Sequence, residues 1–292
     1  MQGAILLGCH RRCLGPARPR TCRSGSGPRL QLQTVARPGC SDRIRRRVKD
    51  PKVAEKLIPR DHGFGVQRVP LETGYLEAYN RDNVHLVDIS ETPLERVTET
   101  GLRTGARDYE FDIIVYSTGF DAITGSFDAI DITGTGGVKL AEEWRDGPST
   151  FLGMMAHGFP NLLMPTGPQS GSASTNFPRG IENGVGWCMG LLEHIWRRGY
   201  TRAEPTAEAQ ARWTAHVTKM YAIMLMRKAK SWFTGYNSNV PGHEYGKTRY
   251  LVYNGGTPKY VAAITDVAQK GYEGIVFETD AQVSARSAAA AE

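Results

Sequence analysis

Apolar residues recur at helical spacing in four stretches of the chain. Near the start of the regular pattern, Ser41 can cap a helix carrying Ile44 and Val48, and Val53 and Leu57 continue its apolar face past Pro51. Farther on, Ile181, Val185, Met189, Leu192 and Trp196 fall on one face of a long helix that starts near Asn176. Pro178 suits its first turn and Gly199 closes it. Thr206 can cap a further helix with Ala209, Trp213, Val217, Met220 and Met224 at the same spacing. Tyr260, Ile264 and Val267 mark a last one, ending at Gly271. Between these lie strand-like runs. The pattern predicts a short helix over 71–79, a strand over 83–89, a hairpin over 94–111 and a terminal strand over 272–277.

A different pattern occupies 112–121. Ile113, Ile114, Val115 and Tyr116 form a continuous, β-branched run, as expected of a strand buried on both faces in a parallel sheet. Ser117, Thr118 and Gly119 end it with small residues. Gly119 lets the backbone pass close to something bulky, and in an open α/β sheet a ligand binds at the carboxyl end of such a strand. The plain alternative is a core strand followed by a turn. The run 161–166 reads as another buried strand, and weaker strands are expected around 130–132 and 138–140. Gly134, Gly136 and Gly137 imitate a dinucleotide fingerprint, but Lys139 stands at its third position and a strand-like run follows instead of a helix. The long connection 231–256, rich in Gly and Asn, has the length of a functional loop. These elements together predict an α/β protein.

Composition changes the picture at one end only. The formal net charge of +6 comes from residues 1–40, which hold seven Arg and no Asp or Glu. That segment is rich in Gly, Pro and Ser and shows no apolar periodicity, so disorder is expected. Its Pro and Gly would break an amphipathic transit helix, and no aromatic residue interleaves with its arginines as a nucleic-acid arm requires. It is expected to lie outside the fold proper, and no nucleic-acid partner is expected. No apolar run approaches the ~20 residues that cross a membrane. Cys9, Cys13, Cys22 and Cys40 lie in that segment, Cys9 and Cys13 lack a paired downstream Cys or His at zinc spacing, and Cys188 falls inside a helix, so neither a metal site nor a disulfide framework is expected. A reduced, cytoplasmic setting is the default.

The sequence also resembles a known family. D-I-I-V-Y-S-T-G-F-D at 112–121 is similar to the strand joining the NADP and FAD domains of two-dinucleotide flavoproteins. The neighbouring motifs are F-G-V-Q-R at 64–68, Y-N-R-D-N-V-H-L-V-D at 79–88, G-F-P-N-L at 158–162, G-P-Q-S-G-S at 167–172, S-W-F-T-G at 231–235 and K-G-Y-E-G at 270–274. Together, and in this order, they resemble the C-terminal half of the Baeyer–Villiger monooxygenases, over roughly 43–277.

The resemblance implies FAD and NADPH as cofactors, and insertion of one oxygen atom into a ketone through a C4a-peroxyflavin, giving an ester or lactone. It implies that Arg68 is the catalytic arginine. A guanidinium stays protonated and offers planar donors, so it can stabilise the peroxide and the tetrahedral adduct, both anions. Read from spacing alone, Arg68 is an exposed loop arginine. Gln67 stands where many relatives carry a lysine that helps hold the 2′-phosphate of NADPH, which puts the preference for NADPH over NADH in doubt. Thr118 and Gly119 are implied to line the junction of nicotinamide and flavin. Gly167, Pro168 and Ser170, with the helix N-terminus that follows, are implied to meet the flavin, although an ordinary strand–loop–helix crossover would read the same. Ser172, Ala173 and Phe177 match the substrate pocket. Trp232 matches a tryptophan on a loop that closes over the nicotinamide cofactor; its plain alternative is a core tryptophan.

The glycine fingerprints of both dinucleotide domains are absent from the sequence. The expected organisation is therefore a non-homologous segment over 1–40, the C-terminal part of an NADP domain with its linker over 41–111, the C-terminal part of an FAD domain over 112–279, and a frayed tail over 280–292. This amounts to incomplete Rossmann-like domains plus C-terminal helices, with the missing N-terminal half a possible partner beside ketone and oxygen. Two other readings stay open: a catalytically incomplete fragment or non-catalytic interaction subunit, and an N-hydroxylating flavin monooxygenase.

Overall fold

The computed structural model describes residues 4–6, 38–63, 66, 71–171, 176–222, 224–244, 246, 248–249 and 252–289. The chain divides into two units, Met1–Gly119 and Phe120–Glu292.

In the first unit, β1 (Ala4–Leu6) pairs in parallel with β2 (Val84–Leu86), so part of the segment expected to lie outside the fold contributes a strand. Helix α1 (Pro38–Arg47) begins three residues before the expected cap, Ser41. Asp50 caps α2 (Pro51–Leu57) by accepting from Lys52 N at 2.8 Å. Ile44, Val48, Ala54 and Leu57 close against Leu76 of α3 (Tyr75–Ala78) and against Tyr79. Arg47 forks onto Glu72 and Glu77, and its guanidinium holds the Glu77 carboxyl down at about 2. The expected hairpin is a three-stranded antiparallel meander: β3 (Leu94–Val97), β4 (Gly101–Thr104) and β5 (Asp108–Glu110).

In the second unit, the short helices α4 (Gly125–Asp128) and α5 (Leu140–Glu143) precede three long ones: α6 (Phe177–Arg198), α7 (Ala207–Ala222) and α8 (Thr257–Gln269). Strand β6 (Arg202–Pro205) pairs antiparallel with β7 (Ile275–Glu278). Arg202 ties this ribbon with ion pairs to Glu204 at 2.6 Å and Glu278 at 3.1 Å. The core gathers Met154, Met155, Leu191, Val217 and Ile264 around Trp187, Trp213, Tyr253, Tyr260 and Tyr272. Trp213 stacks on Tyr253 with centroids 5.3 Å apart, and Trp187 meets the edge of Tyr272 at the same distance while donating Nε1–H to Ile264 O.

The long helices follow the sequence reading, caps included. Asn176 caps α6, with Pro in its first turn, and Gly199 ends it in the left-handed conformation. Its apolar stripe does not face the core, however. Ile181, Val185, Met189, Leu192 and Trp196 are exposed, and α6 buries Gly180, Gly184, Trp187, Cys188 and Leu191. The glycines bring the inner face close enough to pack: a Cβ at Gly184 would fall 1.8 Å from Pro165 O. The tail expected to fray is instead helical, α9 (Asp280–Ala289).

The predicted interior strands are the main correction. Residues 113–116 form no ladder, and Ile113, Val115 and Tyr116 are 80%, 79% and 67% exposed. A strand buried on both faces needs neighbours along both edges, and the described residues supply none here. Residues 161–166 are also irregular: Pro160 and Pro165, without N–H groups, bracket them, and Asn161 is left-handed at φ 60. Around 130–140 only the bridge Thr133–Lys139 forms, flanked by bonds from Gly134 N to Val138 O and from Leu140 N to Ile132 O. The described residues thus mix helix with short strands.

Gly184→Ala tests the inner face of α6. In a free helix this change gains about 1 kcal/mol. Here the contact with Pro165 reverses the sign, so a lower urea midpoint is expected, by equilibrium denaturation.

Candidate functional site

Arg68, Gln67, Ser172 and Ala173 lie outside the described residues. Of the other candidates, Thr118 and Gly119 end the first unit on exposed backbone. Gly119 is left-handed at φ 88, and a Cβ there would meet no atom within 4 Å. It is a glycine with open space beside it, as an approaching ligand requires.

Gly167, Pro168 and Ser170 sit in the second unit, in a buried loop ahead of α6. Its small residues are accounted for by the protein's own packing. A Cβ at Gly167 would fall 2.7 Å from Gly153 O, and one at Gly171 would fall 2.6 Å from the Tyr260 ring. The loop is pinned by Gln169, which is fully buried and left-handed at φ 66. Its Nε2 donates to Pro148 O at 2.7 Å, and its Oε1 accepts from Thr150 Oγ1 at 2.9 Å, Thr150 N at 3.3 Å and Thr214 Oγ1 at 3.2 Å. What the loop leaves toward solvent is the first turn of α6, where Phe177 is 40% exposed. The N-terminus of α6 carries the partial positive charge of a helix end, of the kind that meets an electron-rich group.

Trp232 is half-buried. It stacks on Phe233 at 3.9 Å and packs beside Val252 and Met226, so the plain reading, a packed tryptophan, accounts for its contacts. Its segment is tied to the T-G-F-D motif by a cluster that sequence reasoning missed. Asp121 accepts from Asn237 Nδ2 at 3.1 Å and lies 3.6 Å from His243 Nδ1. Arg249, 2% exposed, donates Nη2–H to Trp144 O at 2.9 Å, while its Nε and Nη1 have no hydrogen-bond partner among the described residues. Gly235 makes room for its stem, since a Cβ there would lie 2.9 Å from Arg249 Cβ. Burial lowers the Arg249 pKa, opposed by Asp128, Asp121 and Asp146. Asp121 was in plain view as the last residue of the motif. His243 and Arg249 gave no signal, because their partners are more than a hundred residues away in sequence. Among the described residues no group of His, Cys, Asp and Glu could hold a metal ion.

Comparison with known proteins supplies what the geometry leaves open. No family model matches the chain. A 2-oxo-Δ3-4,5,5-trimethylcyclopentenylacetyl-CoA monooxygenase from Pseudomonas putida is 45% identical over 234 residues, 80% of this chain and 42% of the relative. A Baeyer–Villiger monooxygenase from Pseudooceanicola batsensis is 36% identical over 241 residues, 82% of this chain and 43% of the relative. The crystal structure of OTEMO in complex with FAD and NADP superposes with a TM-score of 0.72 at 43% identity, covering 82% of this chain and 43% of that one. The chain resembles the C-terminal half of the Baeyer–Villiger monooxygenases. It spans less than half the length of the curated relatives it matches.

The hydrogen bonds and charges of the site can each be tested. Gln169→Leu strands Pro148 O and Thr150 N in the interior, so a stability loss of roughly 2–4 kcal/mol is expected by urea denaturation. The second test concerns pH. Burial, and then Arg249, push the His243 pKa down, against Asp121, Asp128 and Glu244. The fold thus favours neutral His243, and the unfolded chain binds more protons below about pH 6.5. The resulting stability is complete above that pH and is lost as pH falls through the folded value. Asp128, pushed up by burial, acts in the opposite sense. The difference between wild type and His243→Gln therefore carries the sign: between pH 7.5 and 5, the variant's urea midpoint is expected to fall less.

Proposed function

We propose that the chain is the C-terminal portion of an FAD- and NADPH-dependent Baeyer–Villiger monooxygenase that converts a ketone and oxygen to an ester or lactone. The observation that carries this reading is 45% identity to a monooxygenase across 80% of the chain, together with superposition on a relative that holds FAD and NADP. Residues 41–111 then complete an NADP domain and 112–279 an FAD domain, each an incomplete Rossmann-like fold whose remainder is the partner of this chain. The setting is cytoplasmic; no helix among the described residues is long and apolar enough to cross a membrane.

Bound flavin supplies the oxygen chemistry. This chain's residues position and stabilise. Thr118 and Gly119 flank the flavin–nicotinamide junction, where the missing Cβ of Gly119 admits the ligand. Gly167, Pro168 and Ser170, on the loop pinned by Gln169, present the N-terminus of α6 to the flavin edge. Trp232 lies against the nicotinamide cofactor, and Ser172, Ala173 and Phe177 line the ketone pocket. Arg68 stabilises negative charge developing on the substrate oxygen, and Gln67 leaves the 2′-phosphate of NADPH without a cation at that position.

The test is a chimera in which residues 43–279 replace the matching part of the Pseudomonas putida relative. It is expected to purify with flavin and to consume NADPH in response to a ketone, with ester detected by gas chromatography. Arg68→Ala in the chimera is expected to retain flavin and lose ester formation by about 10²–10³, the scale of one donor to an anionic centre. Arg68→Lys is expected to rescue poorly, because a point charge lacks the planar fork. Oxidation of amines without ester from any ketone would move the reading to an N-hydroxylating monooxygenase. A colourless, inactive chimera would leave a non-catalytic interaction module.

A further inference from the structure

An asparagine followed by a glycine can react with its own backbone. The glycine amide nitrogen attacks the asparagine Cγ, a new C–N bond closes a succinimide ring, and the side-chain nitrogen leaves as ammonia. Water then opens the ring at one carbonyl or the other, giving aspartate or isoaspartate. Glycine favours the reaction because it has no Cβ to crowd the attacking nitrogen and leaves the backbone free to turn. The chain holds two such pairs, Asn183–Gly184 and Asn254–Gly255, and an acidic counterpart, Asp146–Gly147, that closes the same ring with loss of water.

The three pairs differ in what holds the attacking nitrogen. Gly184 is buried inside α6, where its N–H belongs to the helical ladder, so ring closure there waits for the helix to open. Gly147 donates its N–H to Trp144 O at 2.9 Å. Gly255 lies in the connection ahead of α8, half-buried like Asn254, and its N–H donates to no atom among the described residues. The Asn254 side chain is held only through the nitrogen that leaves: Nδ2 donates to Val252 O at a long 3.5 Å and also meets the Tyr221 hydroxyl. The fold itself demands the glycines here. A Cβ at Gly255 would fall 2.2 Å from the Tyr253 hydroxyl, and Gly256 has φ 85.

We propose that Asn254 is a self-modification site, which passes through a succinimide with Gly255 to aspartate and isoaspartate while the protein stays folded. The two products act differently. Aspartate places a negative charge just ahead of Gly256, the N-cap of α8, on the favourable side of that helix's dipole. Isoaspartate routes the main chain through Cβ and so adds one carbon between Tyr253 and Gly255. Tyr253 is anchored, since its N–H donates to Ser170 O at 3.2 Å and its ring stacks on Trp213. The added carbon therefore falls between that anchor and the start of α8.

The experiment ages the 292-residue chain in mildly alkaline buffer, native and in urea, and follows the tryptic peptides 180–197 and 250–259 by mass spectrometry. Isoaspartate is read by labelling with an isoaspartate-specific methyltransferase. In urea the two peptides are expected to convert at similar rates, because neither pair is then held. In the native chain, 250–259 is expected to convert nearly as fast as in urea and to accept the methyl label. Peptide 180–197 is expected to slow by roughly tenfold or more, since Asn183 reacts only when α6 opens. Asn254→Gln, whose ring would be one atom larger and closes far more slowly, is expected to remove the label from 250–259. Equal protection of both peptides in the native chain would overturn the proposal, as would faster native conversion at Asn183 than at Asn254. A label that persists in 250–259 of the glutamine variant would do the same. The comparison of native and unfolded wild type decides the matter even if that variant does not fold.

Discussion

The second unit depends on one buried amide. Gln169 reaches three segments at once: the 148–150 turn through Pro148 and Thr150, its own loop through its backbone, and α7 through Thr214. Its donor and acceptor bonds fix the loop laterally, and Gly153 and Tyr260 fix it in depth, because neither tolerates a Cβ at its glycine neighbours. On α6 itself, the Gly184–Pro165 contact sets how closely the inner face approaches its neighbour. A leucine of similar size in place of Gln169 would fill the space and orient nothing. That is the difference between packing, which is non-directional, and a satisfied buried polar group, which specifies one arrangement.

The charged cluster around Arg249 shows the other outcome of burying polarity. Here a guanidinium is withdrawn from water with one hydrogen bond to a carbonyl, and with Nε and Nη1 unpartnered among the described residues. The charges of Asp121, Asp128 and Asp146 compensate it. An arrangement held by charge at a distance constrains position less tightly than the bonds of Gln169. It spans the segment that carries Trp232, and it meets the T-G-F-D motif at Asp121. The loop ahead of α6 and the segment that carries Trp232 thus differ in how the buried polar group of each is compensated.

What could be read from the sequence follows from how local each signal is. The helices α6, α7 and α8 were legible with their caps, since Asn176, Gly199 and the apolar spacing act within a few residues. The orientation of α6 was not. Its stripe of large side chains outweighs the glycines on the other face, and only the contact with Pro165 reveals which side packs. The run at 113–116 has the composition of an interior strand and none of the neighbours. Strand formation is decided by partners remote in sequence, so the same residues that predict burial stand exposed. Among the candidate site residues, Gly119 has the left-handed conformation that a glycine takes without strain, a local property that its residue type makes legible. Gln169 stands within the G-P-Q-S-G-S motif but carries no local signal, because its four hydrogen bonds come from 148–150 and 214, positions that no spacing rule connects.

Cys188 sits on the inner face of α6, buried against Tyr260 and Ile264. Burial pushes its thiol up to about 11, so at neutral pH it is protonated and enclosed, and for both reasons a poor nucleophile. It becomes reactive only when α6 lifts from the core. Alkylation at this position therefore keeps time for the opening of that one helix. The protein thus carries within its interior a reporter of its own local unfolding.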